Sequence, residues 1–414
     1  MWKFIHAADV HLDSPQRGLE RYEGAPVAEC RGATRRALEN LVELALRESV
    51  DFVVLVGDLY DGDWPDYNTG LFFSRQMARL REVGIPVILV RGNHDAANRM
   101  TKDLKLAENV RLLSDRSAET VVLEDQGVAV HGRSFPARVV VDNLSLSYPP
   151  RLGGYFNIGL LHTCVDGREG HEPYAPCSLT DLRQREYDYW ALGHIHAREI
   201  LHRDEPWIVF PGNIQGRHAR ETGPKGCFLV TADDSQRVVS AEPRWLDVVR
   251  WETCRVDARG ARDGDELLLR FQERLTALLR ESGDRLVALR VEIEGPTPAH
   301  PSITSRPTHW LNEIRQVGID VGNGRVWVEK VLLRTSLPGT PIADEMEAAP
   351  LAELAAYLGE LRDTTRLTAL ADSVFDDLVR KLPPDLVSGL TTPERLEGLL
   401  DDVALLLRER LVRP

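Results

Sequence analysis

Aspartate, histidine and asparagine recur in this chain at places where an apolar run has just ended. Asp9-Val10-His11 follows the run 4–8, Gly57-Asp58-Leu59-Tyr60-Asp61 follows 52–56, and Gly92-Asn93-His94-Asp95 follows 87–90. His162 follows 158–161, and Gly193-His194-Ile195-His196 follows 189–192. Short apolar runs bounded by glycine and polar residues read as buried strands. In open α/β sheets, ligand sites lie just beyond the carboxyl ends of strands, so the five junctions are expected to converge at one rim. Imidazoles and carboxylates suit manganese, iron or zinc better than magnesium or calcium. Asp9 and His11 are two residues apart, so a strand end would aim both the same way. A backbone turn at His194 and His196 would split that pair between neighbouring metals. Asp58 has two oxygens and can bridge, while Asn93 supplies a neutral carbonyl oxygen. Two divalent ions set against Asp9 and Asp58 keep a net positive charge that attracts a phosphodiester anion. Metals about 3.5–4 Å apart serve an in-line displacement at phosphorus. Each motif alone recurs by chance in many proteins; the order of all five, each behind a strand, does not.

The elements that must hold these residues are legible as far as about residue 245. Apolar runs at 4–8, 52–56, 87–90, 121–123, 128–130, 158–161, 189–192, 208–210 and 228–230 read as strands. Helical periods cover 32–48, where Leu38, Leu41, Val42 and Ala45 share a face, and 68–83. The early strands fit βαβ units; the later ones lack helices between them and read as antiparallel. An α/β fold with two sheets in an αββα sandwich satisfies both halves. Residues 246–335 read as a small separate α/β domain, with strands at 248–256, 286–293 and 326–333 and helices at 263–281 and 308–317. It carries no chemical motif. Pro338, Gly339, Pro341 and Pro350 mark 336–350 as a linker, and 351–414 is helical in pattern. Its stripe of Leu396, Leu399, Leu400, Val403, Leu406 and Leu407 has two readings, packing on its own domain or docking a partner helix.

Composition narrows the function classes. The chain has 414 residues, 43% of them hydrophobic, and no run of about 18 apolar residues that would span a membrane. The first residues read as a buried strand and not as a signal peptide, which makes a cytoplasmic location the expectation. Five scattered cysteines with no close pair argue for reduced thiols and against a zinc ribbon. A net charge of −13 counts against holding nucleic acid by bulk charge. It leaves room for an enzyme whose cations are metal ions in a cleft, or one that borrows a basic partner.

The series Asp-x-His, Gly-Asp-x-x-Asp, Gly-Asn-His-Asp, His and Gly-His-x-His resembles the signature of the calcineurin-like metallophosphoesterases. Within that superfamily the chain is most similar to the bacterial SbcD and YhaO group of DNA repair exonucleases, relatives of the Mre-type nuclease subunit. The closer features are Asp9-Val10-His11-Leu12-Asp13-Ser14-Pro15, Tyr174-Ala175-Pro176-Cys177, Tyr187-Asp188-Tyr189-Trp190, Pro211-Gly212-Asn213-Ile214-Gln215-Gly216-Arg217-His218 and Glu221-Thr222-Gly223. The resemblance covers about residues 1–235. It implies that Asp9, His11, Asp58 and His196 hold one metal ion, and Asp58, Asn93, His162 and His194 a second. It implies manganese as the ion, His94 as the proton donor to the leaving 3′-oxygen, and Asp95 as the group that orients His94. It also implies an SbcC-like or YhaN-like ATPase partner, contacted through the tail, and a homodimer. Residues 246–335 would correspond to the domain that caps the DNA channel.

Two readings of Asp61 stand, a group steadying the site from behind and an exposed loop acid; Asp13 has the same ambiguity. Arg133, Arg138, Arg198, Arg217, His218, Arg220 and Lys225 lie near the motifs. Of these, Arg217, His218 and Arg133 are the expected phosphate contacts. The function so read is 3′–5′ exonuclease or single-strand endonuclease action on DNA. A phosphatase or cyclic-nucleotide phosphodiesterase on the same scaffold, and a scaffold subunit of an ATPase complex, are the alternatives.

Overall fold

The computed structural model of the chain describes residues 1–16, 19–22, 24–61, 67–97, 106–166 and 174–338, with 357–362, 366–368, 371, 392, 395–400 and 403 of the C-terminal segment. Strands β1 (Trp2–Ala7), β2 (Phe52–Val56), β3 (Val87–Val90) and β4 (Val110–Leu112) alternate with helices α1 (Val27–Arg31), α2 (Ala33–Glu48), α3 (Asn68–Glu82) and α4 (Asn93–Ala97). Then come β5 (Glu119–Leu123), β6 (Val128–Gly132), β7 (Phe156–His162), α5 (Leu179–Arg183), β8 (Tyr189–Gly193), β9 (Glu199–His202), β10 (Trp207–Phe210), β11 (Gly226–Ala232) and β12 (Val238–Trp245). Two six-stranded sheets result, in the orders β12-β11-β1-β2-β3-β4 and β5-β6-β7-β8-β10-β9.

Burial explains the layers. Every residue of β2 is buried, as expected of a parallel strand covered on both faces. Ile5 and Ala7 of β1 pack against Leu38 and Leu41 of α2 and Phe73 and Met77 of α3. Phe4 and Ala8 face the other way, toward Val130, Ile158, Tyr189 and Ala191 of the second sheet. The outer face of that sheet, with Trp190, Leu192 and Ile208, packs on Leu182 and Tyr187. The αββα order expected from the sequence is therefore the order observed.

The second sheet departs from expectation. Its β6, β7, β8 and β10 run parallel, and only the edge strands β5 and β9 pair antiparallel. Among the described residues, the connections that return the chain to the same end hold only short helical turns, such as Leu144–Ser147 and α5. Such turns are too brief to leave a helical period in the sequence. β4, β9 and β12, which the sequence did not mark, are half-buried edge strands without an unbroken apolar run.

After β12 the chain continues through β13 (Val249–Asp257), α6 (Gly264–Ser282), β14 (Leu286–Pro296), α7 (His300–Ser305), α8 (Pro307–Gly322) and β15 (Val326–Ser336), whose strands form a third sheet in the order β13-β14-β15. By contact the chain divides into two compact units. One comprises Met1–Thr253, Ala277–Arg290 and Gly322–Lys330; the other comprises Cys254–Thr276, Val291–Val321 and Val331–Pro414. The division passes through β13, β14 and β15. Most of the expected linker 336–350 and of the segment 351–414 lies outside the described residues. Of its apolar stripe, Leu396 and Leu400 are buried with Leu358, Leu367 and Ala371, while Leu399 and Val403 are exposed. Leu406 and Leu407 lie outside the described residues. All five cysteines are free thiols, and no helix among the described residues is long and apolar enough to cross a membrane.

One polar residue ties the two large sheets together. His6 of β1 is fully buried, with Nε2 3.1 Å from the Leu192 carbonyl and Nδ1 3.0 Å from the Tyr189 hydroxyl. The carbonyl can only accept, so Nε2 carries the proton and Tyr189 donates to Nδ1. Burial pushes the His6 imidazole down to about 3, from 6.5. Below pH 6.5 the unfolded chain therefore takes up a proton that the fold refuses. The stability His6 contributes above that pH is lost as pH falls toward 3. His6→Leu should unfold in urea at about 1–3 kcal/mol less cost than wild type at pH 7.5, because two partners lose their bonds. That gap should narrow by about 1.4 kcal/mol per pH unit below 6.5; a gap that widens would contradict a neutral His6.

Candidate metal centre

The ligand-bearing segments leave their strands through unusual backbone. Asp9, His11 and Asp58 have φ of 51°, 45° and 48°, and His194 has 97°. Residues with a Cβ adopt this left-handed region at about 1–3 kcal/mol each, and such strain gathers at functional sites. Hydrogen bonds hold it in place: Asp9 N donates to the Gly57 carbonyl at 3.1 Å and His11 N to the Asp58 carbonyl at 2.9 Å. His94 N donates to Asp58 Oδ1 at 2.9 Å, and His194 N to Asp9 Oδ2 at 3.0 Å. The two-residue strand repeat is thus not what aims Asp9 and His11 together. β1 stops at Ala7, and the left-handed turn does the aiming.

The donor atoms converge. Those of Asp9, His11 and His196 lie within 4.8 Å of one another, as do those of Asp9, Asp58 and His162 and those of His11, Asp58 and His94. His11 Nε2 and His196 Nε2 face each other at 3.1 Å, and His162 Nε2 lies 3.0 Å from Asn93 Oδ1. Asp58 Oδ2 is 3.4 Å from His162 Nε2 and 3.9 Å from His11 Nε2, so the carboxylate stands between the two sides. His194 belongs to none of the three groups among the described residues. Its ring lies 5.2 Å from that of His162 and packs on Tyr174 at 5.6 Å. Opposed imidazole nitrogens, two buried carboxylates and an amide oxygen, all aimed inward, form a donor set that fits two divalent transition metals. Asp9, His11 and His196 make up one of the three groups, and Asp58 is shared by the other two.

The electrostatics follow from burial. Burial raises the Asp9 carboxyl, against the pull of His196 and His162. Burial would raise Asp58 too, but the His162 imidazole, with His11 and His94, outweighs it and holds the carboxyl below its usual range. His162 is raised in turn, because Asp58 overcomes the cost of burying its charge. Burial pushes His11 down to about 3.

His94 is oriented by Asp61, not by Asp95. Asp61 Oδ1 is 2.9 Å from His94 Nδ1, and the same carboxylate accepts from Ser14 Oγ at 2.6 Å. With its side chain only 17% exposed, Asp61 is no loop acid on the surface. Burial opposes charge on His94, but the Asp61 bond and the Asp58 charge reverse this and raise its pKa. Asp95 instead accepts from the backbone N–H of Gly92, Leu59 and Tyr60, at 3.0, 3.2 and 2.9 Å. It lies in the first turn of α4 and is used up in clamping two ligand loops together. Asp13 is also structural: it receives Arg35 Nε at 2.7 Å and Thr69 Oγ1 at 2.7 Å.

Glu221 was missed as a site residue. Its Oε1 lies 2.7 Å from His196 Nδ1, which fixes the imidazole with Nε2 toward the donor cluster. Only a carboxylate in the Glu221-Thr222-Gly223 signature hinted at it. Arg217, read as a phosphate contact, is turned inward with its side chain 14% exposed. Its guanidinium lies 3.0 Å from Glu221 Oε1 and 3.4 Å from Asp61 Oδ2. His218 is exposed beside Glu221, and Lys225 donates to the His196 carbonyl at 3.1 Å. Arg133 is not brought to the cluster. Its guanidinium reaches the Asp115 carbonyl and Ser147 Oγ, both at 3.5 Å, because the loop after β6 carries it aside.

Two glycines make room. A Cβ at Gly92 would sit 2.3 Å from Asp58 Oδ1, and one at Gly193 would sit 1.9 Å from the Val56 carbonyl.

An αββα sandwich that presents two adjoining donor sets on one rim is the architecture of a binuclear metallophosphoesterase. Residues 3–198 match the calcineurin-like phosphoesterase family, and residues 251–336 match the middle domain of metallophosphoesterase YhaO. The chain is 35% identical over 298 residues to the "Uncharacterized metallophosphoesterase YhaO" of Bacillus subtilis, spanning 71% of this chain and 72% of that protein. It is 26% identical over 210 residues to the DNA double-strand break repair protein Mre11 of Sulfurisphaera tokodaii, spanning 50% of this chain and 52% of that one. A dimetal phosphatase from Danio rerio aligns with a TM-score of 0.36 and 14% identity, over 56% of this chain and 93% of its own. The chain belongs to the calcineurin-like metallophosphoesterase family, whose members use divalent metals.

Glu221→Gln should weaken manganese binding about 10–100-fold by calorimetry, as for other groups that orient a ligand histidine. Gly92→Ala should lose binding by at least as much, since its Cβ would push Asp58 aside. Unchanged affinity in both would show that the cluster is not the metal site.

Proposed function

We propose that the protein is a manganese-dependent phosphodiesterase that acts on DNA, as a 3′–5′ exonuclease, a single-strand endonuclease or both. The observation that carries this reading is His94, held by Asp61 at Nδ1 and half-exposed beside the buried Asp58. The Mre11 relatives, named for DNA double-strand break repair, support DNA as the substrate. Two divalent ions, when bound, supply charge that offsets the phosphate and a nucleophile at neutral pH. The rest is done by side chains. Asp9, His11, Asp58 and His196 hold one ion; Asp58, Asn93, His162 and His194 hold the other. Asp61 is ionised and accepts a hydrogen bond from Nδ1–H of the His94 imidazolium, whose Nε2–H protonates the 3′-oxygen as the P–O bond breaks, leaving a neutral imidazole that keeps its Nδ1 proton. Glu221 keeps His196 in the right tautomer and shares Arg217 with Asp61. With a net charge of −13, holding the duplex falls to local cations and to an SbcC-like or YhaN-like ATPase docked on the tail.

End-labelled single-stranded and duplex DNA should be degraded with manganese and spared with EDTA. Asp58→Ala should lose both metal binding and cleavage. His94→Ala should keep the metal and cleave about 10²–10⁴-fold more slowly. Turnover of a small aryl phosphodiester with no DNA cleavage, even beside the ATPase, would remove DNA as the substrate. Deleting 351–414 should abolish capture of the ATPase while aryl phosphodiester turnover persists; capture that survives would place the contact elsewhere.

A further inference from the structure

Beside the metal centre opens a cavity of about 590 Å³, lined wholly by residues of the first compact unit. It shares two residues with the centre. Asp61 lines the cavity and binds His94; Arg217 lines it and touches His196 and Glu221. A group attached to a phosphate at His94 therefore has the cavity as its neighbouring space.

The walls differ in character. Leu19, Tyr22, Trp251 and Trp327 form an apolar side. Trp327 meets Tyr22 edge-on at 6.2 Å and Trp251 at 5.9 Å. Trp251 and Trp327 are only 5% and 6% exposed, so the surface they leave uncovered faces the cavity, while Tyr22, 46% exposed, stands at its mouth. The Trp251 indole N–H is spent on the Gly216 carbonyl at 3.1 Å, which leaves its ring as apolar surface. Arg220 supplies a cation, while Arg217 is paired with Glu221 and Asp61 and Arg290 with Glu329 at 3.0 Å; burial lowers the His218 imidazole, which lines the cavity uncharged. An aromatic wall next to a cation suits a flat heteroaromatic ring that carries a phosphate. The volume lies within the range of about 300–1,000 Å³ usual for small-molecule sites. Inorganic phosphate or a sugar phosphate would leave the aromatic wall uncovered.

We propose that this cavity is a nucleobase subsite that takes the unpaired nucleotide flanking the scissile phosphate. A base stacked and paired in a duplex cannot enter it; an extruded or single-stranded one can. The enzyme is thereby selective for frayed or single-stranded ends over paired ones. The placement beside the scissile bond rests on the DNA phosphodiesterase reading; the base recognition itself does not.

Calorimetric titration of the manganese-loaded protein with 2′-deoxyadenosine 5′-monophosphate, 2-deoxyribose 5-phosphate and inorganic phosphate tests it. The nucleotide should bind about tenfold or more tightly than the sugar phosphate, the usual size of a base-stacking contribution. Tyr22→Ala, at the mouth, and Ala219→Phe, which fills the cavity, should each erase most of that advantage. Equal binding of nucleotide and sugar phosphate, or an advantage untouched in both variants, overturns the subsite. A nucleotide advantage lost in both variants, in a protein that cleaves no DNA, upholds the subsite and removes the DNA reading alone.

Discussion

A carboxylate taken out of water has to be met by cations or by hydrogen-bond donors, and Asp58, 2% exposed, sits under that constraint where the two sheets meet. The surrounding chain is arranged to meet it. The amide of His94 donates to one oxygen, and the imidazoles of His162 and His11 approach the other. Gly92 lies against it without a side chain. A buried carboxylate so encircled is stable only with positive charge beside it, which is the condition that a pair of divalent ions satisfies.

The same ring of residues binds the sheets to each other. His162 Nδ1 lies 3.2 Å from the Val56 carbonyl, so a residue of the second sheet is fastened to the last residue of β2 in the first. His6 makes a comparable link from β1 to β8. Metal-ligand spacing and inter-sheet spacing are therefore one quantity. Left-handed backbone at Asp9, His11, Asp58 and His194 is a local cost that this tight closure offsets.

Behind the donor cluster a second mesh joins His196 to His94. Glu221 holds His196, Asp61 holds His94, and the Arg217 guanidinium lies against both acids. One buried cation thus steadies the carboxylates that hold both His196 and His94.

Much of this was legible before any fold was seen. Buried strands such as β2 read as unbroken apolar runs because both their faces are covered, and the donors stand just after them. Residue type and position along the chain are local properties, so the αββα layers and the order of the candidate donors could be read from sequence. The edge strands β4, β9 and β12 and the parallel run of the second sheet could not, since partner contacts and short crossovers decide them. Nor could Glu221, which meets His196 from 25 positions away, or the choice of Asp61 over Asp95 as partner of His94. Both acids lie close to His94, and only the direction in which the backbone turns each carboxylate separates them. The sequence by itself determined which chemical groups are present and which strand end delivers each. Which group faces which was decided by tertiary structure, because it depends on left-handed turns and on the gap between two sheets, neither of which any short stretch of chain encodes.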